Sequence, residues 1–196
     1  MGHGILNSLG YSLSDLQLGL KTCTDLSFSD DIGGCFGGVF MEYYLQTVRG
    51  LEAEPPLARP DDPFWLCKAI PETYRPSCVF RAPQWWERVE PGLGYAEMGK
   101  RCREHFKEGR LHSICFGGIG FVAPIALNLS PERILDACQA ATDNSQDFFY
   151  CVSIAANRVG AREQGAPQKI CNALTDVKRA ICLRASRGDL RIDSVR

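Results

Sequence analysis

The sequence predicts an all-α fold, an array of about five disulfide-stapled helical hairpins of α-solenoid type with a period of about 35 residues. Three observations predict it. Cysteines alternate between short and long steps along the chain, helix-start signals stand several residues ahead of most first cysteines, and no stretch shows strand alternation closed by turn residues.

Ten cysteines lie at 23, 35, 67, 78, 102, 115, 138, 151, 171 and 182, in successive steps of 12, 32, 11, 24, 13, 23, 13, 20 and 11. The short steps define five pairs: Cys23 with Cys35, Cys67 with Cys78, Cys102 with Cys115, Cys138 with Cys151, and Cys171 with Cys182. Equivalent cysteines recur every 31 to 44 residues. In an antiparallel hairpin, a residue near the end of the first helix lies opposite one near the start of the second, at a separation a disulfide can span. Closing each loop stabilises the fold by roughly 3 kcal/mol in the chain-entropy model. Zinc sites draw on close pairs such as C-x-x-C, and copper-storing bundles on cysteines three or four apart. Neither spacing occurs here, so disulfides are preferred over metal thiolates. Disulfides in turn imply an extracytoplasmic setting: periplasm, cell surface or secretory lumen.

The whole chain, 1–196, is read as a single helical repeat domain. Residues 1–11 form a partial or capping helix, and MGHGILNSLG has neither the basic nor the apolar region of a signal peptide. Counting back 20 to 24 residues from Cys23 places an absent second cysteine close to position 1. This segment is therefore expected to be a second helix lacking its first, with Ile5, Leu6 and Leu9 facing a groove. An upstream repeat, a partner or a second copy would cover that groove. Hairpin unit 1, 12–50, opens on Ser12 and Asp15, a capping box. Unit 2, 51–90, carries the proline-rich insertion RGLEAEPPLARPDDPFW and a start signal at Asp62 before Pro63. Unit 3 is 91–129. Unit 4, 130–160, starts from Ser130 and Pro131, and unit 5, 161–186, from Ala166 and Pro167. Polar stretches such as KEGRLHS and ATDNSQD, lying between paired cysteines, read as the hairpin turns. The polar tail, 187–196, contains Arg187, Gly188 and Asp189, a tripeptide like the integrin motif and read as coincidence.

The first cysteines of three units open CKAI, CQAA and CNAL. Two second cysteines open CFGGVF, from Cys35, and CFGGIGF, from Cys115. Both copies are expected to start the second helix of a hairpin. Gly37 with Gly38, and Gly117 with Gly118, would then let another helix approach closely, although glycine costs about 1 kcal/mol against alanine in a helix. The uncharged run SICFGGIGFVAPIALNLS reads as buried helices rather than a bilayer span, because glycines, Pro124 and Asn128 interrupt it.

The arrangement resembles in design the disulfide-bridged, Sel1-like helical repeat proteins of bacteria, which also staple each hairpin with a cysteine pair. Their intercysteine spacing is shorter and their consensus differs, so no function is carried over.

Candidate chemistry is sparse. A net charge of -1 leaves no basic surplus for nucleic acid. The sequence lacks G-x-S-x-G, H-E-x-x-H, Walker and haem-attachment motifs, so the reading leans away from an enzyme, with no catalytic residue and no cofactor predicted. The three histidines, His3, His105 and His112, are the weak metal candidates; the last two flank a turn near Cys102 and Cys115. All three tryptophans fall in unit 2, where Phe64, Trp65, Arg81, Trp85, Trp86 and Arg88 are either a bulky core or an aromatic binding patch. The favoured function is a non-enzymatic extracytoplasmic interaction or scaffold module, meeting a protein, peptide or glycan. The alternative is a helical protein holding a small molecule, metal or haem-type cofactor.

Overall fold

A computed structural model describes residues 1–26, 32–48, 62–163 and 165–188, with the side chains of residues 3 and 46–48 outside that description. The insertion at 51–61 and the tail from 189, with Asp189, therefore lie outside the described residues. Among the described residues there are eleven α-helices, one 3-10 turn and no strand. They divide into two compact bodies, Met1–Pro91 and Gly92–Arg196.

The N-terminal body begins with α1, Gly2–Leu9, closed by Gly10 in a positive-φ conformation whose N–H bonds to Leu6 O. Helix α2, Leu13–Thr24, starts at the expected capping box: Ser12 Oγ accepts from Asp15 N at 3.1 Å, and Asp15 Oδ2 accepts from Ser12 N at 3.0 Å. The Ser12 hydroxyl also donates to Asp15 Oδ2 at 2.6 Å, and this bond, followed by the one from Ser12 N, holds the Asp15 carboxyl below its ordinary range. Leu16, Leu20 and Cys23, spaced four and three apart, form the buried stripe of α2. Helix α3, Gly34–Val48, buries Cys35, Phe36, Val39, Phe40, Tyr43 and Tyr44, pairs repeating every four residues along one face. Helix α4, Trp65–Ala69, a 3-10 turn at Glu72–Tyr74 and α5, Arg75–Val89, complete the body. Helix α4 begins two residues beyond the expected Pro63, with Phe64 at the N-cap and no side-chain cap. Asp62 lies in the turn ahead of it, its carboxylate accepting from Phe64 N at 3.3 Å and pairing with Lys68 Nζ at 2.9 Å.

Helix α1 packs on both α2 and α3. Leu6 is fully buried, and both Ile5 and Leu6 touch the space above Gly19. A Cβ on Gly2 would overlap Cys35 O and come within 2.7 Å of Val39 N, so backbone meets backbone there. Leu6 therefore does not face an open groove as expected; α2 and α3 cover it. Of the three apolar residues only Leu9 is classed as exposed, at 37%.

The C-terminal body contains α6, Tyr95–His105, α7, Arg110–Ala126, α8, Pro131–Ala141, α9, Ser145–Gly160, α10, Ala166–Cys171, and α11, Asp176–Ser186. Ser130 caps α8 through Arg133 N, and Asn144 Oδ1 caps α9 by accepting from Gln146 N at 2.8 Å and Asp147 N at 3.2 Å. Second helices contact one another in chain order, α7 with α9 and α9 with α11. First helices do the same, α6 with α8 and α8 with α10. Glycines set the closeness: a Cβ on Gly99 of α6 would overlap Ala141 O, and one on Gly120 of α7 would overlap Cys151 O.

Both bodies use one further device. The last carbonyls of a helix have no partner within it, and a side chain from the preceding hairpin supplies one. Gln17 Nε2 donates to Ala69 O at 3.4 Å, Arg103 Nη1 to Ala141 O at 2.6 Å, and Asn157 Nδ2 to Ala185 O at 2.7 Å.

Five disulfides join the cysteines in the expected sequential pairs, with Cα separations of 5.5 to 5.8 Å and no free thiol. The two CFGG copies differ in place. Cys35 lies in the first turn of α3, whereas Cys115 lies five residues into α7, so only the first copy opens its helix. Gly109, at positive φ, ends the turn early and lets α7 begin at Arg110. The glycines meet different neighbours: Gly37 faces the Arg81 guanidinium, Gly38 lies in the stretch of α3 that α1 approaches at Gly2, and Gly120 of α7, beyond the buried pair Gly117 and Gly118, meets the Cys151 carbonyl.

Candidate functional site

The best-defined polar cluster is in the C-terminal body, at the amino ends of α7 and α9. His112 sits in the first turn of α7 and Asp147 in the first turn of α9, both largely enclosed, with side-chain exposures of 14% and 6%. Asn144 positions Asp147 by capping its helix, and Thr142 Oγ1 donates to Asp147 Oδ2 at 3.4 Å. His112 Nε2 meets Asp147 Oδ1 at 2.9 Å, and Nδ1 meets the Phe106 carbonyl. A carboxylate and a carbonyl only accept, so both contacts are satisfied when both ring nitrogens carry a proton, which favours the imidazolium. The bond to Asp147 is the main cause raising the His112 pKa above its ordinary value. The Phe106 carbonyl adds to it, while burial and the Arg103 charge oppose it. The ring also lies 5.1 Å from that of Phe116.

In that form the ring has no free lone pair to offer a metal ion or a proton. It joins three segments: the turn at Phe106, α7 and α9. His105 Nδ1 lies 3.0 Å from Arg101 O, within its own helix. The side chain of His3 lies outside the described residues. Cys102 and Cys115 are bonded to each other rather than open to a ligand. Among the described residues no group of three or more His, Cys, Asp or Glu side chains is placed to hold a metal.

The unit-2 aromatic set belongs to the N-terminal body. Phe64, Trp85 and Trp86 are 1%, 4% and 1% exposed, and Arg81 is 8% exposed. Phe64 meets Trp86 edge-on at 5.1 Å, Trp86 Nε1 donates to Pro63 O at 3.2 Å, and Trp85 stacks on Tyr44 at 5.4 Å. Trp65 is half-buried and Arg88 exposed. Four of the six residues thus pack inward, where an aromatic patch for a partner would need them outside.

Two features had no signal in the sequence reading. Arg158 of α9 lies 3.7 Å over the Phe121 ring of α7, its Nε without a hydrogen-bond partner, and burial, with Arg162 nearby, lowers its pKa. An open cleft of about 580 Å³ lies at the ends of α9 and α11 and the start of α10, lined among others by Asn157, Gly160, Pro167, Gln168, Leu183 and Arg187. Asp147 was findable, because Asn144 three residues before it is a helix-start signature.

Fold and site together define a disulfide-rich, all-helical protein. Among the described residues no helix is long and apolar enough to cross a membrane. No family model matches the chain, and neither a curated protein nor a solved structure matches it.

Proposed function

We propose that this chain is an extracytoplasmic, non-enzymatic interaction module, an α-solenoid-like array whose stacked hairpins present a surface to a protein, peptide or glycan. One observation carries the reading: its most distinctive polar groups join helices to one another. His112 and Asp147 tie α7 to α9, while Gln17, Arg103 and Asn157 complete the ends of neighbouring helices. Five staples in a chain of this size support an oxidising compartment. Repeats that contact only their neighbours build extended surfaces suited to binding.

The competing reading, a bound small molecule, metal or haem-type cofactor, would draw on the cleft beside α10 and α11. Elemental analysis and an absorption spectrum of protein purified without chelator separate the two. Metal-free, colourless protein is expected, and a stoichiometric metal or chromophore overturns the module. Cross-linking in the producing cell through photoreactive residues at the exposed positions Arg133 and Asn172 is expected to trap a discrete partner. Failure at every exposed position tested removes the interaction reading.

A further inference from the structure

We propose that Asn128 is an acceptor for an N-linked glycan. The inference rests on the extracytoplasmic reading and adds a modification site to it. Of the five asparagines, at 7, 128, 144, 157 and 172, only Asn128 has a hydroxyl residue two positions on, in Asn128-Leu129-Ser130, and the middle residue is not proline. The tripeptide alone is a weak signal; its placement supplies the rest.

Asn128 lies in the turn between α7 and α8 and is exposed. Its backbone is at φ 53, the left-handed region that asparagine tolerates better than most residues, and Leu129 follows at φ 60. The turn is held by backbone bonds, Leu127 N to Ala123 O at 2.9 Å and Leu129 N to Pro124 O at 2.7 Å. None of these uses the Asn128 side chain. Other asparagine amides have structural work: Asn144 caps α9, Asn157 closes α11, and Asn7 accepts from Tyr11. The surroundings are open as well, since Ile125, Ala126 and Glu132 are exposed. A sugar on Asn128 would project from a rigid turn without displacing any core group.

Ser130 supplies the second requirement. Its hydroxyl contacts in the folded chain are long, 3.4 Å from Arg133 N and 3.2 Å from Glu132 Oε2. It is free to orient the acceptor amide before α8 forms. The co-reactant is an oligosaccharide carried on a polyprenyl pyrophosphate. Asn128 Nδ2 forms a bond to the anomeric carbon, the carbon–oxygen bond to pyrophosphate breaks, the lipid pyrophosphate leaves with the electron pair, and the amide proton goes to a base of the transferase.

The test uses the whole chain behind a secretion signal in a eukaryotic secretory host, with intact mass before and after amidase removal of N-glycans and a thiol count on the same sample. The variants are Asn128→Asp, which keeps size and tolerance of positive φ, and Ser130→Thr, which keeps the helix cap. Wild type is expected to carry one glycan, Ser130→Thr to match or exceed its occupancy, and Asn128→Asp to carry none. Glycan on wild type but not on Asn128→Asp supports the site whatever the thiol count. Secreted, unmodified protein without free thiols overturns the site and leaves the compartment reading intact. Unmodified protein with ten free thiols overturns both, and a glycan that persists in Asn128→Asp overturns the assignment to this residue.

Discussion

Gly120→Ala tests the stacking of α7 on α9 directly. A Cβ at this position would overlap Cys151 O and lie 2.8 Å from the Cys151 carbonyl carbon and 3.0 Å from its Cα. Comfortable contact begins at about 3.5 Å, and the overlapped Cys151 oxygen lies closer than its carbon, so the helices must separate by about 1 Å or more. Cys151 cannot retreat alone, because its sulfur is bonded to Cys138 of α8. Forced overpacking of a tight contact costs about 3 kcal/mol at the upper end of its usual range. Alanine's helix preference returns about 1 kcal/mol, which leaves a net loss of about 2 kcal/mol. With a urea slope of about 2 kcal/mol per molar, the midpoint followed by far-ultraviolet circular dichroism falls by about 1 M. Hydrogen exchange should place the loss of protection in α7 and α9. Gly4→Ala is the control, since nothing lies within 4 Å of a Cβ there and the helix should gain about 0.4–1 kcal/mol. If Gly120→Ala stabilises the protein as Gly4→Ala does, the helices do not approach as described.

Non-reducing peptide mapping should return the five sequential bridges with no free thiol, and verified reduction should lower the melting temperature by more than about ten degrees, given roughly 3 kcal/mol per closed loop. An unchanged melt would mean that packing alone holds the hairpins. Because the folded pKa of His112 is raised, its contribution is fully present below the unfolded value of about 6.5 and is lost as pH climbs through the folded value. Stability of the C-terminal body should therefore be greater at about pH 6 than at about pH 9. In His112→Asn that difference should shrink, and an equal slope in both proteins would remove the imidazolium from the account. Ser12→Ala should cost about 1 kcal/mol by removing the α2 cap, and a loss under about 0.3 kcal/mol would show the box to be idle.

The staples were legible because a sequential pairing leaves its rhythm in the spacing, and the starts at Ser12 and Ser130 because capping is local chemistry. The start of α7 was not, since KEGRLHS reads as turn to its end while the chain turns only as far as Gly109. The contact between His112 and Asp147 joins residues 35 apart, and no local pattern encodes it; only the stacking of α9 on α7 brings them together. Density of aromatics in unit 2 fits a core and a surface equally well. What decides is the cover given by α3, where Tyr44 lies against Trp85, and that pairing spans two hairpins.

Each staple encloses its own hairpin turn, so a single cut in such a turn leaves the molecule in one piece. Cleavage after the exposed Lys107, between Cys102 and Cys115, adds one water to the mass and releases nothing until the sulfurs are reduced. Cleavage after Arg162, between Cys151 and Cys171, has no such bridge across it, and the fragments are joined only by noncovalent contacts, packing and hydrogen bonds such as that from Asn157 to Ala185 O. Digestion in a protease-rich medium would accordingly accumulate full-mass nicked chains whose weakest points are the connectors from one hairpin to the next.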